Sequence, residues 1–296
     1  MLIKKNLFLR ITRKIIGYIS PKLLASLYYR KTAGRWMSWK NPQDLNEKIL
    51  WLSLCSDTTE WTDLADKYKV REFVEKKGLG NLLVKLYGVW EHAEDIDYEK
   101  LPERFVLKTN HGSGTNIIVR DKSKLDFKKT NEQLDKWLKM RFGWPIESHY
   151  LRIKPLIIAE EYLEENVNKQ SSSLIDYKLF CLQGNPEGTL VCYDRSSTSV
   201  KMEWYDLDWT YHPEWSINSE QYQKGKGIIE KPHNWNQMLE AARLLSEGFP
   251  QVRVDFYDVN DKLYFGEMTF TSNQGTMTYL SRELLLELGK KVSLTQ

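Results

Sequence analysis

The sequence predicts an α+β protein of two lobes whose sheets are mainly antiparallel. Three observations lead to this prediction: two groups of short strand-like runs, a polar segment between the groups, and a hairpin near the C-terminus. The runs are at 81–90, 104–111, 115–121 and 156–163 in the first group, and at 174–183 and 187–194 in the second. The polar segment, EENVNKQSSS at 164–173, is interpreted as the division between the lobes. The hairpin joins VRVDFYDV to KLYFGEMTF around Asn260 and Asp261.

Helical periodicity fills the regions before and between these strands. Residues 41–80 are predicted to be helical, beginning near Asn41-Pro42 and ending at the glycines 78 and 80. Further helices are predicted at 126–142 and 233–248, the second with apolar residues at helical spacing. The predicted organisation has four parts: a basic amphipathic segment at 1–40, a helical region at 41–80, an N-lobe at 81–163 and a C-lobe at 164–296.

Length and composition exclude several classes of protein. A chain of 296 residues, 41% hydrophobic and 28% charged, can bury a sizeable core, so it is neither collagen-like nor wholly disordered. Its three cysteines, Cys55, Cys181 and Cys192, are too few and too scattered for a disulfide framework or a zinc site. Cys181 and Cys192 lie in strand-like runs, where a buried thiol is expected. A reducing cytoplasm is therefore the expected location.

The net charge of +3 conceals an uneven distribution. The first 40 residues contain ten Lys or Arg and no acidic residue, whereas the other 256 residues carry 33 basic and 40 acidic side chains. An acidic body with one basic segment argues against nucleic-acid binding. Two interpretations of the segment stay open: residues 1–30 lie on the surface of an anionic membrane, or they form a helix that packs on the body. No signal peptide is predicted, because Arg10, Arg13 and Lys14 interrupt the apolar stretch.

The C-terminal hairpin carries the strongest chemical signal. Arg253, Asp255 and Tyr257 alternate with apolar residues, so their side chains share one face. If a three-residue loop at 260–262 closes the hairpin, Asp255 lies opposite Glu267, with Cβ atoms about 5 Å apart. Such carboxylates repel unless a cation neutralises them, and oxygen-only ligands on a rigid ladder suit Mg²⁺. The alternative is that Arg253 pairs with one carboxylate and the other faces water.

A glycine-containing loop follows the predicted strand that carries Lys108. Residues 110–115, NHGSGT, return the chain to a second strand, and Gly112 and Gly114 allow the backbone to approach an anion closely. Successive N–H groups in such a loop can bind phosphate oxygens, to which Lys108 would also point. The pattern is neither a Walker loop nor a Rossmann fingerprint. An ordinary surface hairpin stays an alternative, with His111 as a hydrogen-bonding residue rather than a base.

The apolar run IIAEEYL at 157–163 ends at the polar segment between the predicted lobes. A strand that ends at a hinge offers backbone groups to the edge of an adenine, and a carboxylate nearby, such as Asp176, can hold ribose hydroxyls. The alternative is structural, with the apolar residues packed in a buried strand and Glu160 and Glu161 as solvated charges at its end.

Together these motifs resemble the ATP-grasp proteins of teichuronopeptide and capsular polysaccharide biosynthesis, which are often labelled as an ATP-grasp glycosyltransferase family. The resembling segments are NPQDLNEKILWL, LADKYKVREFV, VLKTNHGSG, IIAEEYL, DYKLFC, YDLDW, VRVDFY and YFGEMTFT, in consistent order from Asn41 to Leu288. The resemblance implies the ATP-grasp fold, in which two α+β lobes with mainly antiparallel sheets enclose the nucleotide. It also implies an ADP-forming carboxylate-amine ligase, which makes an acylphosphate that an amine then attacks.

The resemblance assigns roles to individual residues. The nucleotide would be bound by Lys108, by the loop Asn110, His111, Gly112, Ser113, Gly114 and Thr115, by the hinge Glu160, Glu161, Tyr162 and Leu163, and by Asp176 at the ribose. Mg²⁺ would be bound by Asp255 and Glu267, with Thr269 standing where many ATP-grasp enzymes have Asn. Lys178 would contact the phosphates, and Arg253, with Arg195 as a second candidate, would stabilise the transferring phosphoryl group.

The implied substrates are ATP, the carboxylate of a sugar acid or peptide-like polymer, and an amino acid or other amine. The aromatic segment EWYDLDWTYHPEW at 203–215 could stack on sugar rings, although packing of a long loop is the simpler interpretation. Ser272, Asn273 and Gln274 follow Glu267 closely enough to shape the carboxylate pocket.

Two other functions stay open at this point. A glycosyltransferase is the alternative enzyme, because Asp206-Leu207-Asp208 has the spelling of a metal-binding DxD motif. That function leaves Lys108, the glycine loop and the Asp255/Glu267 pair without a role. A non-catalytic nucleotide-binding scaffold is the third class, which the presence of Thr269 in place of Asn keeps open.

Overall fold

The computed structural model describes residues 15–143, 145–163 and 170–294. The helices are α1 (Pro21–Ala33), α2 (Leu45–Cys55), α3 (Thr59–Ala65), α4 (Val70–Lys76), α5 (Phe127–Leu138), α6 (Ser148–Arg152), α7 (Trp235–Ser246) and α8 (Arg282–Lys291). The strands are β1 (Leu86–Trp90), β2 (Phe105–Thr109), β3 (Asn116–Val119), β4 (Ile157–Glu161), β5 (Asp176–Leu182), β6 (Asn185–Tyr193), β7 (Val200–Tyr205), β8 (Tyr222–Lys224), β9 (Gln251–Val259) and β10 (Lys262–Thr269).

The first sheet has four antiparallel strands in the order β1-β4-β2-β3. Helix α5 packs on it, and its core contains Phe105, Leu107 and Leu134, all fully buried. Asp126 caps the helix by accepting a hydrogen bond from the Lys129 amide. The sheet thus fixes the directions of β2 and β4, the strands that carry the predicted nucleotide residues.

The second sheet has six strands in the order β10-β9-β5-β6-β7-β8, and every pairing except β7 with β8 is antiparallel. Helix α7 covers one face by packing on β5, β6 and β9. Trp204 and Trp235 are among the largest side chains buried in the core below it. Two helix-covered sheets confirm the predicted α+β class with mainly antiparallel pairing.

The turn of the β9–β10 hairpin differs from the prediction. Lys262 pairs directly with Val259, so the loop has two residues and the expected three-residue loop was wrong. Asn260 and Asp261 have φ of 51° and 60°, the left-handed conformation that a two-residue turn of this kind requires and that Asn and Asp tolerate.

A bulge in β10 nevertheless produces the predicted register. After the two-residue turn, Phe265 pairs with Phe256, and regular pairing would place Gly266 opposite Asp255. The ladder shifts by one residue between Phe265 and Glu267, so Glu267 pairs with Asp255. The prediction that the two carboxylates lie opposite each other is therefore confirmed. The shorter turn and the bulge each shift the register by one residue, and the two shifts cancel.

Helix α2 connects the helical N-terminal region to the second sheet. Asp44 and Glu47 form a reciprocal capping box, and Arg35 bridges both carboxylates at 2.9 and 3.0 Å. Further along the helix, Asn46 donates to the Met277 carbonyl and accepts from the Met277 amide. The helix therefore anchors the chain that follows β10.

Several elements were not predicted from sequence. Pro21 is the first residue of α1, which Ser20 caps, so it begins a helix in addition to ending the segment before it. Strands β7 and β8 and helix α8 were also missed. The aromatic segment packs as the simpler interpretation expected, because Tyr205 stacks on Trp209, which meets Trp235 edge to face.

The predicted buried thiols are confirmed, since Cys181 and Cys192 are both buried, whereas Cys55 is exposed. Within the described residues, no helix combines the length and hydrophobicity that crossing a membrane requires. Residues 1–14 of the predicted basic segment at 1–40 lie outside the described residues.

Candidate active site

A network of charged side chains covers one face of the second sheet. Arg253 on β9 donates from Nε and Nη2 to the two oxygens of Asp255, at 2.7 and 2.8 Å. Its Nη2 also donates to Glu267 Oε1 and Thr269 Oγ1, each at 3.1 Å. The alternation along β9 and the bulge in β10 thus bring Arg253, Asp255, Glu267 and Thr269 together.

The neighbouring strand β5 contributes Lys178 and Asp176 to this network. Lys178 Nζ donates to Asp255 Oδ2 at 2.5 Å and lies 3.8 Å from Asp176 Oδ1. Arg195 reaches Asp176 Oδ2 at 2.7 Å. The network therefore runs across three adjacent strands and includes all seven predicted phosphate, metal and ribose residues of the second lobe.

The pKa shifts show that this network favours the charged forms of Glu267 and Lys178. Burial favours the neutral form of Glu267, but Lys67, Arg253 and Lys178 outweigh it and lower the pKa of this carboxyl. Burial likewise opposes the charge on Lys178, yet Asp176 and Asp255 raise its pKa. The negative charge of Asp176 is the largest cause of the raised pKa of Tyr257.

The glycine-containing loop joins β2 to β3 as predicted, with Lys108 paired with Asn116. Gly112 and Ser113 line a cavity, whereas Asn110, His111 and Thr115 are buried. Asn110 holds the loop by donating to Asp66 Oδ2 at 2.8 Å and accepting from the Leu156 amide at 2.7 Å. The His111 ring lies 3.2 Å from the Met140 carbonyl and is a hydrogen-bonding residue here.

Lys108 and Glu160 form an ion pair across β2 and β4. Arg71, at the start of α4, lies 3.7 Å from Glu160 and donates to the Val84 carbonyl at 2.9 Å. Glu160 is therefore buried and paired, which argues against the alternative interpretation of this residue as a solvated charge and brings Arg71 to the predicted adenine hinge.

The other predicted hinge residues lie where the first lobe ends. The Glu161 amide donates to the Lys85 carbonyl, and Tyr162 accepts a hydrogen bond from Arg120 at 3.2 Å. Leu163 packs with Val84 and with residues of the β9–β10 hairpin. These residues connect the two sheets, and their role toward adenine stays a prediction.

A cavity of about 620 Å³ opens between the two sheets, next to the charged network. Lys67 bridges its two sides, because Nζ donates to the Gly112 carbonyl at 2.7 Å and lies 3.5 Å from Glu267 Oε2. Lys178, Arg195, Arg253 and Glu267 also line the cavity. Lys108 and the hinge residues are not part of this wall.

The lining of the cavity also contains a carboxylate that was not predicted from the sequence. Glu147 lines the cavity and is only 5% exposed. Thr271 donates to Glu147 Oε1 at 2.5 Å, and the Gln274 side chain also bonds to this carboxylate. Burial raises the pKa of Glu147 to about 7, although both hydrogen bonds oppose the shift.

Lys67, Arg71 and Glu147 were all missed as site residues. Lys67 and Arg71 carried a usable signal, since they are basic residues four apart in the segment LADKYKVREFV. Glu147 had no such signal in the sequence, because it meets the segment after β10 only in the folded chain.

The donor set at the hairpin matches Mg²⁺ in chemical type. Asp255, Glu267 and Thr269 offer only oxygen atoms, as Mg²⁺ prefers. Among the described residues, no group of three or more His, Cys, Asp or Glu forms a metal cluster, so other ligands would have to complete the shell. Asp255 is 1% exposed and already contacts Arg253 and Lys178, so a cation bound by both carboxylates would replace the Lys178 contact.

The TupA-like ATP-grasp family matches residues 47–293, which is most of the chain. The chain belongs to this TupA-like ATP-grasp family. The sequence resemblance to teichuronopeptide-type ATP-grasp proteins is therefore confirmed, and with it the ATP-grasp fold. No curated protein sequence matches this ATP-grasp protein.

Solved structures similar to this ATP-grasp protein include D-alanine–D-alanine ligase from Bacillus anthracis complexed with ATP, at 14% identity and a TM-score of 0.46. The ADP complex of PurK, an N5-carboxyaminoimidazole ribonucleotide synthetase, is 10% identical with a TM-score of 0.43. The ligase PsnB with minimal precursor, Mg and ADP is 10% identical with a TM-score of 0.40. The similarity covers 77% of this chain for the D-alanine–D-alanine ligase, 76% for PurK and 84% for PsnB. It covers 61%, 50% and 66% of those three proteins, in the same order, so this chain spans less than two thirds of their length.

Proposed function

We propose that the protein is an ATP-dependent carboxylate-amine ligase that forms an amide through an acylphosphate and releases ADP and phosphate. The observation that supports this best is the charged network at the cavity between the sheets. Arg253, Lys178 and Glu267 line the cavity, and the buried Asp255 bonds to Arg253 and Lys178. A phosphoryl group in this cavity would meet several cations at once, which is the arrangement that phosphoryl transfer requires.

The basic residues of the cavity have distinct tasks in this mechanism. Lys67 touches the glycine loop and Glu267, so it positions the loop that would cover the phosphates. Arg253 is fixed by Asp255 on two atoms, so its guanidinium is already oriented before a substrate arrives. Its task is to stabilise charge on the phosphoryl group while the substrate carboxylate forms a bond to it, with Arg195 as the second candidate.

The metal ligands in this proposal are Asp255 and Glu267, with the Thr269 hydroxyl beside them. When bound, Mg²⁺ would neutralise charge on the β- and γ-phosphates. Lys178, which donates to Asp255 at 2.5 Å, would contact phosphate oxygens from β5. Thr269 already donates to Glu267 at 3.2 Å, so its contribution is to orient that carboxylate.

The nucleoside would lie toward the junction of the lobes in this proposal. Glu160 to Leu163 would form the adenine hinge, and Lys108 would reach the phosphates from β2. Asp176, placed by the resemblance at the ribose, is bonded to Arg195, so ribose binding there would compete with this ion pair. The loop from Asn110 to Thr115 would act through the backbone of Gly112 and Ser113, which line the cavity.

The substrate class follows from the resemblance to surface-polysaccharide enzymes. The carboxylate would belong to a sugar acid or a peptide-like polymer, and the amine to an amino acid or related compound. The ligation reaction would take place in the cytoplasm, next to the membrane where such polymers are assembled.

Peripheral membrane contact is the second part of this proposal. Tyr18 and Ile19 are 81% and 79% exposed, and Ile15 is also exposed. They precede α1, which carries the basic residues Lys22, Arg30 and Lys31. By contrast, Leu24 and Tyr29 of α1 are buried against the body. Replacing Ile15, Tyr18 and Ile19 by Ser should therefore weaken binding to phosphatidylglycerol vesicles without removing α1. Unchanged vesicle binding would contradict membrane contact at these residues.

The glycosyltransferase alternative loses its main support. Asp206 Oδ1 accepts from the amides of Asp208 and Thr210, and its Oδ2 contacts His212. The DxD spelling is therefore the polar part of a turn, with the oxygens of Asp206 engaged inside it.

The test is an ADP-release screen of sugar acids against amino acids, with ATP and Mg²⁺. We expect release of ADP and phosphate that depends on both a carboxylate and an amine. Production of AMP and diphosphate would contradict the proposed mechanism. Transfer from UDP-sugars, measured in parallel, would instead support the glycosyltransferase.

A further inference from the structure

The inference concerns Glu147 and builds on the proposed function. Glu147 precedes α6, and its position is set by a tight turn in which its amide donates to the Gly143 carbonyl at 2.6 Å. Gly143 has φ of 76°, and a Cβ there would lie 2.5 Å from the Glu147 carbonyl oxygen. Only glycine therefore fits the turn that directs Glu147 toward the cavity.

The segment that bonds to Glu147 is held in an unusual conformation. Asn273 and Gln274 have φ of 47° and 57°, followed by Gly275 at 66°, so three consecutive residues are left-handed. Two non-glycine residues in this region cost free energy, which persists only where the surroundings impose it. Here Asn46 fixes the chain at Met277, and the segment in turn presents Gln274 to Glu147.

The same segment joins Glu147 to the phosphoryl side of the cavity. Thr271 bonds to Glu147, and the next residue, Ser272, accepts from Arg253 Nη1 at 3.3 Å. Tyr150 lies close enough to both sides that the charges of Glu267 and Glu147, after burial itself, raise its pKa. A molecule in the cavity could therefore touch Arg253 and Glu147 together.

The partners of Glu147 are neutral. No lysine or arginine in the described ranges forms an ion pair with it, and its side chain bonds to the Thr271 hydroxyl and the Gln274 amide. A buried carboxylate without a cation is costly, and a bound cation would remove that cost. An ammonium group bound beside Glu147 would supply this missing positive charge.

We propose that Glu147 binds the ammonium group of the amine substrate, beside the acylphosphate, and accepts one of its protons. The amine would be a primary amine with its nitrogen free. Asn273 and Gln274, on the cavity wall, are positioning residues for this contact.

The ammonium transfers one proton to the Glu147 carboxylate, which frees the lone pair of nitrogen. Nitrogen then forms a bond to the acyl carbon, the carbon–oxygen bond to phosphate breaks, and phosphate leaves with that electron pair and the second proton. A carboxyl whose pKa burial has raised to about 7 is well matched to accept such a proton near neutrality.

The binding test uses the full chain with Mg²⁺ and a nonhydrolysable ATP analogue, titrated with the twenty common amino acids, ethanolamine and their N-acetylated forms. We expect at least one free amine to bind, and N-acetylation to weaken it at least tenfold. Glu147→Gln should weaken it by a similar factor, whereas Glu287→Gln, the same change at an exposed position, should have no effect. Equal affinity in Glu147→Gln, or no binding by any amine, would overturn the assignment.

A kinetic test separates this proposal from the proposed function. Glu147→Gln should raise the KM for the amine by a larger factor than the KM for ATP, both measured by ADP release with carboxylate and amine present. An equal rise in the two KM values would mean a structural role and would overturn the proposal, whereas absence of ADP release in the wild type would overturn the ligase and leave the binding test decisive. If Glu147→Gln does not fold, Thr271→Val, which removes one hydrogen bond to Glu147, should weaken amine binding by a smaller factor, and unchanged binding would count against it.

Discussion

The carboxylates on two walls of the cavity have different electrostatic surroundings. On the wall formed by β5, β9 and β10, Asp255 and Glu267 lie within a network of arginine and lysine side chains. On the wall formed by the turn before α6 and the segment at 271–275, Glu147 has a hydroxyl and an amide as partners. The first wall lowers the pKa of Glu267, whereas the second raises that of Glu147 to about 7.

This difference shows how burial of similar residues can lead to different chemistry. Burial alone favours a neutral carboxyl on both walls, and the neighbouring cations decide whether the charge survives. A carboxylate surrounded by cations, such as Glu267, suits metal and phosphate binding. A carboxyl that titrates near neutrality suits the exchange of a proton with an amine. The two walls are therefore expected to be functionally separate.

The largest effect is expected at the charged wall. Asp255→Asn and Glu267→Gln should each lower ATP turnover ~100-fold or more, because each removes a charge that would bind metal and orients Arg253. Turnover is measured as ADP release, with circular dichroism to verify the fold. Asp261→Asn, the same change at the exposed turn of the hairpin, is the matched control, since Asn tolerates its φ of 60°. Near wild-type turnover in either site variant would refute the metal assignment.

The next prediction uses the pH dependence of stability. The pKa of Glu147 rises from 4.5 to about 7 on folding, so the wild type loses stability as pH rises through this interval, by about 3 kcal/mol. Glu147→Gln should remove that loss. The free energy of unfolding of the variant minus that of the wild type, measured with urea, should therefore be more positive at pH 8 than at pH 4.

Glu267 should show the opposite sign. Its pKa is lowered on folding, so it stabilises the protein above its unfolded pKa of 4.5, and this contribution is lost as pH falls toward the folded value. Glu267→Gln should therefore be less stable than the wild type at neutral pH, with a difference that shrinks in acid. Parallel pH profiles for the two variants would break the contrast between the walls.

A smaller effect is expected at Gly275. Its φ is 66°, and a Cβ would lie 2.8 Å from Leu50 Cγ, so Gly275→Ala should displace the segment that holds Glu147. Gly248→Ala is the control, because φ is 85° but a Cβ would meet no atom within 4 Å. Backbone strain costs roughly 1–2 kcal/mol in both variants, and the additional loss in Gly275→Ala measures the clash. Equal losses of unfolding free energy in Gly275→Ala and Gly248→Ala would mean that the segment at 271–275 accommodates the added Cβ without further destabilisation.

The sequence predicted the charged wall far better than the opposite wall, for physical reasons. Alternation along β9 is a local property, so Arg253 and Asp255 could be placed on one face from the sequence. The pairing with Glu267 was also correct, although the turn and the bulge behind it were not foreseen, because a bulge at Gly266 leaves no periodic signal. Glu147 depends on contacts with residues more than 120 positions away, such as Thr271, which no local pattern encodes.

The smallest effect is expected for Thr269→Asn, which introduces the residue that many ATP-grasp enzymes have at this position. Thr269 Oγ1 donates to Glu267 at 3.2 Å and accepts from Arg253 at 3.1 Å, and an Asn side chain can also donate and accept. Because the amide oxygen is a better Mg²⁺ ligand than a hydroxyl that already donates to Glu267, the Mg²⁺ concentration needed for half-maximal ADP release should fall a few-fold. Thr269→Val, which cannot accept or donate, should raise it. If both variants behave like the wild type, Thr269 belongs to the packing of the charged wall, and Asp255 and Glu267 alone supply its protein ligands.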